Sequence, residues 1–507
     1  MLAFPNRFVL EITVFVCGAL VMIYEIIGSR IVSPFIGTST YVWTSLIGII
    51  LAALSLGYWL GGRISDKRPD VKILAFAIFL AGGAVSLTIL FKDIILPIIA
   101  SASVGLQIKS VAASLLLFAP ASVLLGFVTP FAVKLKMSSL EDSGKTVGRL
   151  YALSTIGSIV GTFTAGFFLI PFVGSVRTLY LIAGMLFVVS ILLAPFAFTR
   201  FSFMVLTLFA FAVAGSEFSI HYMHRTHTLY DIDTEYSRVQ VFQTLEPKSG
   251  RKFQAVATDP YFVQSAMFLD GDDPVFEYSP YYHLVRHFKP DHKQTLMIGG
   301  AGYTFPREYL RRYPDARIDV VEIDPKMTEI ARRFFRLEDD PRLKIIHEDG
   351  RTFLNQAESG IYDAVLMDAF GSLFSVPYQL TTLEAVRQIS RVLKDDGIVI
   401  SNIGSAIQGE GSRFLRAEFA TYKQVFPQVF FFKVNSDSID EQLQNIMMVA
   451  CKRENPSGLQ SSDEETSELL SHFYTKPLEV EDAILTDDLA PVEYYNSLAQ
   501  NSYRRKH

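Results

Sequence analysis

The second half of the sequence contains glycines and acids whose types and spacing suit a nucleoside site. They are Gly299, Gly300, Gly302, Glu322, Asp349 and Asp368. Glycines let a backbone approach a ligand closely. Glu322 follows them by about 20 residues, where a carboxylate can accept hydrogen bonds from two ribose hydroxyls. Asp349 is placed to accept from an adenine amine, and Asp368 lies where a reacting atom would be.

Alternating strands and helices are expected to position these residues. Short apolar runs predict strands that begin at residues 295, 318, 343 and 362, with helical segments between them. This alternation predicts a doubly wound parallel sheet, in which ligands bind outside the carboxyl ends of the strands. The alternative is a sheet of the same kind whose acids only cap helices.

The glycine pattern distinguishes two classes of ligand. A dinucleotide site needs a third glycine for the pyrophosphate. Counted from Gly299 or Gly300, that place holds Phe305 or Pro306. An adenosyl sulfonium needs no pyrophosphate site, so the sequence favours it over a nicotinamide or flavin dinucleotide.

Several motifs together resemble the spermidine/spermine synthase family of aminopropyltransferases, most closely its bacterial membrane-fused branch. The resemblance covers roughly residues 230–405. It is carried by Ile298-Gly299-Gly300, Arg307-Glu308, Val321 to Pro325, Asp349 to Leu354, and Tyr362-Asp363 through Asp368.

The resemblance implies a reaction and a role for particular residues. Decarboxylated S-adenosylmethionine would be the co-substrate, an amine such as putrescine the acceptor, and methylthioadenosine a product, without a metal or a permanently bound cofactor. Asp368 would take the amine proton, Glu322 would bind the ribose, and Asp349 with Gly350 would contact the adenine. The resemblance implies that Gly299, Gly300 and Gly302 bind the donor. The substrate-binding residues would be Tyr278, Tyr303, Tyr378 and Gln240.

The sequence departs from the family pattern at several places, of which three concern ligand-binding side chains. Gly302 stands where the family has an acid for the propylamine group, Gly371 where it has a second acid, and Ser237 where it has a glutamine. Two alternatives therefore stay open. One is an S-adenosylmethionine-dependent methyl- or alkyltransferase that acts on a membrane-embedded substrate. The other is a non-catalytic nucleoside-binding sensor or transporter.

Composition limits the other function classes. The chain has 507 residues, half of them hydrophobic, and a net charge of −5, which argues against a nucleic-acid partner. Its two cysteines, Cys17 and Cys451, lie in unlike regions and support neither a disulfide framework nor a thiolate metal site.

The first 220 residues are poor in charge and predict a membrane region. A soluble helix bundle or a signal peptide is the less favoured alternative. Pro120 and Pro130 predict a kink. Glu25 is an acid inside the first span, either paired with Arg30 at the interface or part of a polar cavity. The predicted spans are 8–28, 41–61, 72–91, 108–133, 147–171, 176–197 and 200–218.

Orientation is where two arguments conflict. Basic residues concentrate at 67–72 and 134–149, and the positive-inside rule places both loops in the cytoplasm. Seven spans would then put the C-terminal domain outside. Sulfonium nucleosides are made inside cells, and on that ground we expect a cell-membrane protein whose soluble domain is cytoplasmic.

The predicted fold is thus a multi-pass α-helical membrane bundle joined to a Rossmann-like α/β domain of the methyltransferase type. The predicted domains are 1–220 for the transmembrane region, 221–290 for a small antiparallel β subdomain and 291–507 for the catalytic domain. The expected partners are a small amine, a sulfonium nucleoside and the lipid bilayer, with a homodimer as a further expectation.

Overall fold

The structure is a computed structural model, and the chain divides into two compact units. One unit is Met1–Thr226 with Asp231–Arg238, and the other is His227–Tyr230 with Val239–His507. The predicted boundaries at residues 221 and 291 stay a prediction. The residues that the structure describes are 7–37, 39–102, 104–137, 143–194, 200–226, 228–259, 262–369, 376–454, 458–478 and 483–504.

The first unit is helical. Within its described residues, seven helices are long and apolar enough to cross a membrane, as the sequence predicts. A π-helical segment, Ala165–Val173, continues α7. The helices are α1 (Arg7–Ile36), α2 (Thr40–Lys67), α3 (Val71–Ser101), α4 (Leu106–Leu117), α5 (Ala119–Gly126), α6 (Val128–Lys136), α7 (Ser143–Thr164), α8 (Ser175–Leu193) and α9 (Arg200–Thr226).

The fourth predicted span, 108–133, is a broken helix and not a single one. It is interrupted at Phe118, two residues before Pro120, and again before Pro130. Proline has no N–H and clashes with the preceding turn, so a kink follows from the sequence. At the first break the Leu117 carbonyl accepts from the Tyr24 hydroxyl at 2.9 Å and from the Thr88 hydroxyl at 2.6 Å.

Glycines let α7 pack directly on α1. A Cβ atom on Gly157 would lie 2.0 Å from the Phe15 carbonyl oxygen, and one on Gly161 would lie 2.3 Å from that of Ala19. Small residues four apart permit such backbone contact between membrane helices. The two helices therefore run in the same direction and stay in register.

A four-stranded sheet follows the helices. Its strands lie in sequence order, β2, β3 and β4 pair antiparallel, and β1 is a further strand beside β2 that differs from the predicted small sheet. The strands are β1 (Thr228–Asp233), β2 (Arg238–Leu245), β3 (Lys252–Asp259) and β4 (Phe262–Phe268).

The second unit is built around a seven-stranded sheet of order β10-β11-β9-β8-β5-β6-β7. The five strands from β9 to β7 are parallel, as predicted, and β10 and β11 add an antiparallel edge. The strands are β5 (Gln294–Ile298), β6 (Arg317–Glu322), β7 (Leu343–His347), β8 (Tyr362–Met367), β9 (Leu393–Ser405), β10 (Gln428–Lys433) and β11 (Gln444–Cys451).

Helices connect these strands in the rhythm of a Rossmann-like domain. A 3-10 turn, Ser279–Leu284, precedes the first of them. They are α10 (Val285–Phe288), α11 (Thr304–Arg312), α12 (Pro325–Phe334), α13 (Gly350–Gln356), α14 (Leu383–Val392), α15 (Arg413–Lys423), α16 (Glu464–Ser471) and α17 (Val492–Arg504).

Candidate active site

The site lies where the strand order reverses. The chain passes from β5 to β6 on one side of β5, and β8 pairs with β5 on the other side. Ligands of doubly wound sheets bind at this point, outside the carboxyl ends of the strands. Ile298 ends β5 and Met367 ends β8, and the two are register partners, so Gly299 and Asp368 come next to each other.

Gly299 allows the two strand ends to meet. Its φ is +98°, and a Cβ atom there would lie 2.3 Å from the Asp368 carbonyl oxygen. The Asp368 N–H donates to the Ile298 carbonyl at 2.9 Å. Only glycine adopts this conformation readily. The turn after β5 therefore fixes the backbone of Asp368.

Glu322, at the end of β6, holds the glycine turn. One carboxylate oxygen accepts from the N–H groups of Gly300 and Ala301, both at 2.9 Å, and the other accepts from Asp324 N–H at 3.0 Å. Burial raises the pKa of Glu322, and these three backbone N–H groups oppose that rise. A carboxylate has about four acceptor positions. One position therefore stays available for a ribose hydroxyl.

Asp349 and Gly350 lie at the start of α13. Asp349 accepts from Thr352 N–H at 2.9 Å, so this acid does cap a helix. A Cβ atom on Gly350 would lie 2.7 Å from the Ile298 side chain. The beginning of α13 therefore packs against the end of β5, and Asp349 lies at the same edge of the sheet.

Asp368 is half-buried among polar and aromatic groups. Its carboxylate accepts from the Asn402 amide at 3.3 Å and from the Tyr278 hydroxyl at 3.4 Å. Burial raises the pKa of Asp368 to about 6, although its hydrogen bonds with Asn402, Tyr282 and Tyr278 act in the opposite direction. A carboxyl group with such a pKa can exchange a proton near neutral pH.

Aromatic rings surround this carboxylate. Tyr278 stacks on Phe276 with ring centroids 5.5 Å apart and meets Tyr282 edge-to-face at 6.3 Å. The Tyr282 hydroxyl donates to the Met367 carbonyl at 3.1 Å. Tyr281 is different, since its hydroxyl bonds to His472 Nδ1 at 2.5 Å. We call Phe276, Tyr278 and Tyr282 the aromatic wall.

Gly302 explains one departure from the family pattern. It is buried, and a Cβ atom there would lie 2.6 Å from the Ser265 hydroxyl on β4. The small sheet therefore packs on the glycine turn at this place. An aspartate side chain would not fit here, so a donor propylamine would find no acid at Gly302.

Three predicted substrate residues are not brought into the hydrogen-bonding shell of Asp368. Tyr303 is fully buried with φ at +54°, and its hydroxyl bonds to that of Thr328 at 2.8 Å, which counts against a ligand contact. Tyr378 is 51% exposed. Gln240 is half-buried on β2, opposite Ala257. Their roles stay predictions.

Asn402 and Phe276 are site residues that the sequence analysis missed. The position of Asn402 could have been predicted from the sequence. Strand β9 runs parallel to β8, and Ser401 pairs with Met367. Aligning the two predicted strands would have placed Asn402 beside Asp368. Phe276 lies between β4 and the turn Ser279–Leu284, and no periodic pattern marks it.

A cavity of about 560 Å³ lies next to the aromatic wall, with Phe276 as the shared residue. Its other lining residues are mostly charged. Arg307, Arg311 and Arg336 come within 3.9 Å of the Asp272 carboxylate. The cavity is distinct from the Asp368 site, since neither Glu322 nor Asp368 lines it.

Comparison with known proteins agrees with this arrangement. The family described as spermine/spermidine synthase domain matches residues 277–456. Polyamine aminopropyltransferase 1 of Streptomyces coelicolor is 26% identical over 425 residues, which cover 79% of this chain and 76% of that protein. The polyamine aminopropyltransferase of Vibrio vulnificus is 29% identical over 181 residues, which cover 35% of this chain and 58% of that protein.

A probable spermidine synthase from Corynebacterium glutamicum is a similar solved structure, with a TM-score of 0.40 and 22% identity. The comparison covers 48% of this chain and 84% of that one. Residues 277–456, which follow a helical region, match the spermine/spermidine synthase domain, and the chain is a transferase related to the polyamine aminopropyltransferases.

Proposed function

We propose that the chain moves an aminopropyl group from decarboxylated S-adenosylmethionine to an amine such as putrescine. The observation that carries this proposal is the position of Asp368. It follows a parallel strand at the point where the strand order reverses, with a pKa of about 6 and an aromatic wall around it. A proton acceptor and a surface for a cation thus lie side by side.

The reaction needs positioning and one proton transfer. The amine nitrogen attacks the carbon next to the sulfonium, and a carbon–nitrogen bond forms. The carbon–sulfur bond breaks, and its electron pair stays on the sulfur of methylthioadenosine. The nitrogen then carries one extra proton, and Asp368 accepts it.

The aromatic wall suits both charged reactants. The faces of Tyr278 and Phe276 are stacked 5.5 Å apart, and Tyr282 presents an edge to Tyr278. A cation over an aromatic face is stabilised by about 0.5–2 kcal/mol. The wall would therefore orient the sulfonium carbon toward the amine without a metal ion.

Glu322 and Asp349 would bind the nucleoside. The remaining acceptor position of Glu322 is on the carboxylate oxygen that accepts from Asp324 N–H, since the other oxygen already accepts from Gly300 and Ala301. Gly350 brings the start of α13 against β5, and Asp349 with it. Ribose on Glu322 and adenine near Asp349 would leave the sulfonium toward Asp368.

We also propose that the helical unit lies in the cell membrane and that the transferase domain faces the cytoplasm. The first part is supported by the seven long apolar helices among the described residues. The second is supported by the supply of the donor, which cells make internally. A homodimer is a further proposal, suggested by the family resemblance.

The test uses the purified full chain with putrescine and either S-adenosylmethionine or its decarboxylated form. We expect methylthioadenosine from the decarboxylated donor. Adenosylhomocysteine from S-adenosylmethionine would instead indicate a methyltransferase. Nucleoside binding without either product would leave only a binding function.

The first mutational prediction concerns Asp368→Asn. Without the proton acceptor, turnover should fall by about 10²–10⁴-fold, the usual contribution of general acid–base catalysis. Nucleoside affinity should stay within a few-fold, because Glu322 and the glycine turn are unchanged. Asp315→Asn is the matched control, since Asp315 is exposed and outside the site. Normal turnover of Asp368→Asn would remove Asp368 from the mechanism.

A further inference from the structure

Helix α1 carries one acid that has no partner. From Glu11 to Ser33, its other charged and hydroxyl side chains all form hydrogen bonds. Glu11 binds Lys136 and Arg149, and Arg30 donates to the Glu235 carbonyl. Glu25 has no hydrogen bond and no ion pair within the part of the chain that the structure describes. The other partnered side chains are Thr13, Tyr24, Ser29 and Ser33.

Glu25 lies on a helix that packs against most other helices of its unit. Among the described side chains of α1, only Phe8 and Ile12 are exposed, and Glu25 itself is half-buried. The helix is therefore central in its unit. An acid inside a membrane span is costly and faces the bundle interior or an aqueous cavity as a rule.

Three cations of the same unit form hydrogen bonds or ion pairs with other groups. The expected Glu25–Arg30 pair does not form, because residues five apart do not share a helix face and Arg30 binds Glu235. Lys92 pairs with Asp93 at 2.6 Å, and Lys109 donates to the Ala100 carbonyl at 2.8 Å. No cation of the described residues neutralises Glu25.

A second irregularity lies at the same level. The contacts of Phe15 with Gly157 and of Ala19 with Gly161 set the register of α1 and α7. Continued by one or two turns, this register puts Glu25 level with the π-helical segment Ala165–Val173, which also contacts α1. Such π-helical segments are frequent at functional sites.

We propose that Glu25 binds an organic ammonium ion, the acceptor amine or the polyamine product. The choice of amine rests on the proposed function. An ammonium group has three donors and no acceptor. One carboxylate can neutralise and bind it, whereas a divalent metal ion would need several more ligands.

Glu25 lies in the second half of α1. At 1.5 Å per residue, Glu25 lies about 8 Å from Arg30 and about 21 Å from Glu11 along the helix. Arg30 binds the segment 231–238, which leads into the transferase domain. Along α1, Glu25 is therefore nearer to the contact with this segment than to Glu11.

The test is chemical modification of the full chain in lipid nanodiscs with dicyclohexylcarbodiimide, a reagent for carboxyl groups in apolar surroundings. Adducts are mapped by peptide mass spectrometry. We expect an adduct on Glu25 and none on Glu11, the paired acid of the same helix. Tetramethylputrescine, whose tertiary amines carry charge but form no amide, should remove most of the adduct. Sodium chloride of equal ionic strength should not.

Two results would overturn the proposal. The first is an unmodified Glu25, and the second is an adduct that the diamine does not reduce. Binding of labelled putrescine to Asp368→Asn gives a second measurement, and adding Glu25→Gln should lower the bound amount while Glu11→Gln should not. Modification of Glu25 does not depend on turnover. If the diamine protects Glu25 but the chain forms no methylthioadenosine, the transferase proposal is refuted and the amine site at Glu25 still stands.

Discussion

Asp368 shows how neighbouring residues prepare one carboxyl group for proton transfer. Partial burial disfavours its charge, while the Asn402 amide and the Tyr278 hydroxyl stabilise it at 3.3 and 3.4 Å. The balance is a pKa of about 6, against 3.8 for an ordinary aspartate. The group is ionised in neutral solution and still binds a proton more tightly than a surface aspartate does.

The pH profile of turnover should report this pKa. Asp368 accepts a proton only when ionised, so kcat/KM should fall as the pH drops through about 6, to about a tenth of its plateau at pH 5. Asn402→Ala removes a donor to the carboxylate and should move this limb to higher pH. If Asn402→Ala left the acidic limb of the profile unchanged, that limb would not reflect the ionisation of Asp368.

The same carboxyl group should lower the stability of the protein. Its folded pKa of about 6 lies above 3.8, so the folded state binds the proton more tightly and unfolding free energy falls as pH rises from about 4 to 6. Asp368→Asn should therefore raise the free energy of unfolding at pH 7.5 by up to about 3 kcal/mol, which would appear as a higher melting temperature. The gain should shrink toward pH 4. A destabilised variant at neutral pH would contradict this account.

Residue types and spacing were enough to predict which acids end the strands. Glu322 and Asp368 each follow a buried apolar run, and the sheet then brings their backbones to one edge. Hydrogen-bond partners were harder to predict, because they depend on which strands are neighbours. Asn402 is an example, since it lies 34 residues from Asp368 in sequence. The burial of Tyr303 depends on a left-handed backbone that no pattern indicates.

The turn after β5 is the element on which the site depends. Gly299→Ala would place a methyl group 2.3 Å from the Asp368 carbonyl oxygen and force φ at +98° on alanine. Strain of this kind costs about 1–3 kcal/mol, and overpacking adds about 1–3 kcal/mol. We expect lower stability and a loss of turnover, measured by melting and by product formation.

Gly360→Ala is the matched control. Gly360 has φ at +71°, but a Cβ atom there meets nothing within 4 Å. Only the backbone strain applies, about 1–2 kcal/mol. Turnover should be normal. Equal effects of the two variants would mean that contact with Asp368 does not matter.

The elements themselves were largely predictable. The strand from Tyr362 to Met367 follows from its apolar run, and the break before Pro120 follows from proline chemistry. The antiparallel pairing of the edge strands β10 and β11 was not predicted. Pairing depends on how the chain connects the strands, and local patterns do not encode it.

The two ends of the helical unit differ in charge. At one end, Lys134 pairs with Asp66, and Lys136 and Arg149 pair with Glu11. At the other end, the segment 231–238 is attached to the helices. Ser175 N–H donates to Asp233 at 2.7 Å, and Arg30 donates to the Glu235 carbonyl. The basic loops and this segment therefore lie at opposite ends.

Cysteine labelling tests this arrangement. Lys72, Lys145 and Glu235 are exposed, and the native Cys17 and Cys451 are buried. With a membrane-impermeant maleimide, Lys72→Cys and Lys145→Cys should be labelled from the same side of the membrane. Glu235→Cys should be labelled from the other. If all three were labelled from one side, the chain between Lys145 and Glu235 would cross the membrane an even number of times, which contradicts the three long helices that the structure describes between them.

If the helical unit lies in a membrane, as we propose, the attachment of segment 231–238 sets the charge rule against the supply of the nucleoside. If the lysine-rich loops stay inside, as the charge rule requires, the nucleoside must leave the cell before it reacts. If the catalytic domain stays inside, those lysines must be translocated during biosynthesis. The side on which Glu235→Cys is labelled therefore also tells which compartment holds the amine pool that this protein alkylates.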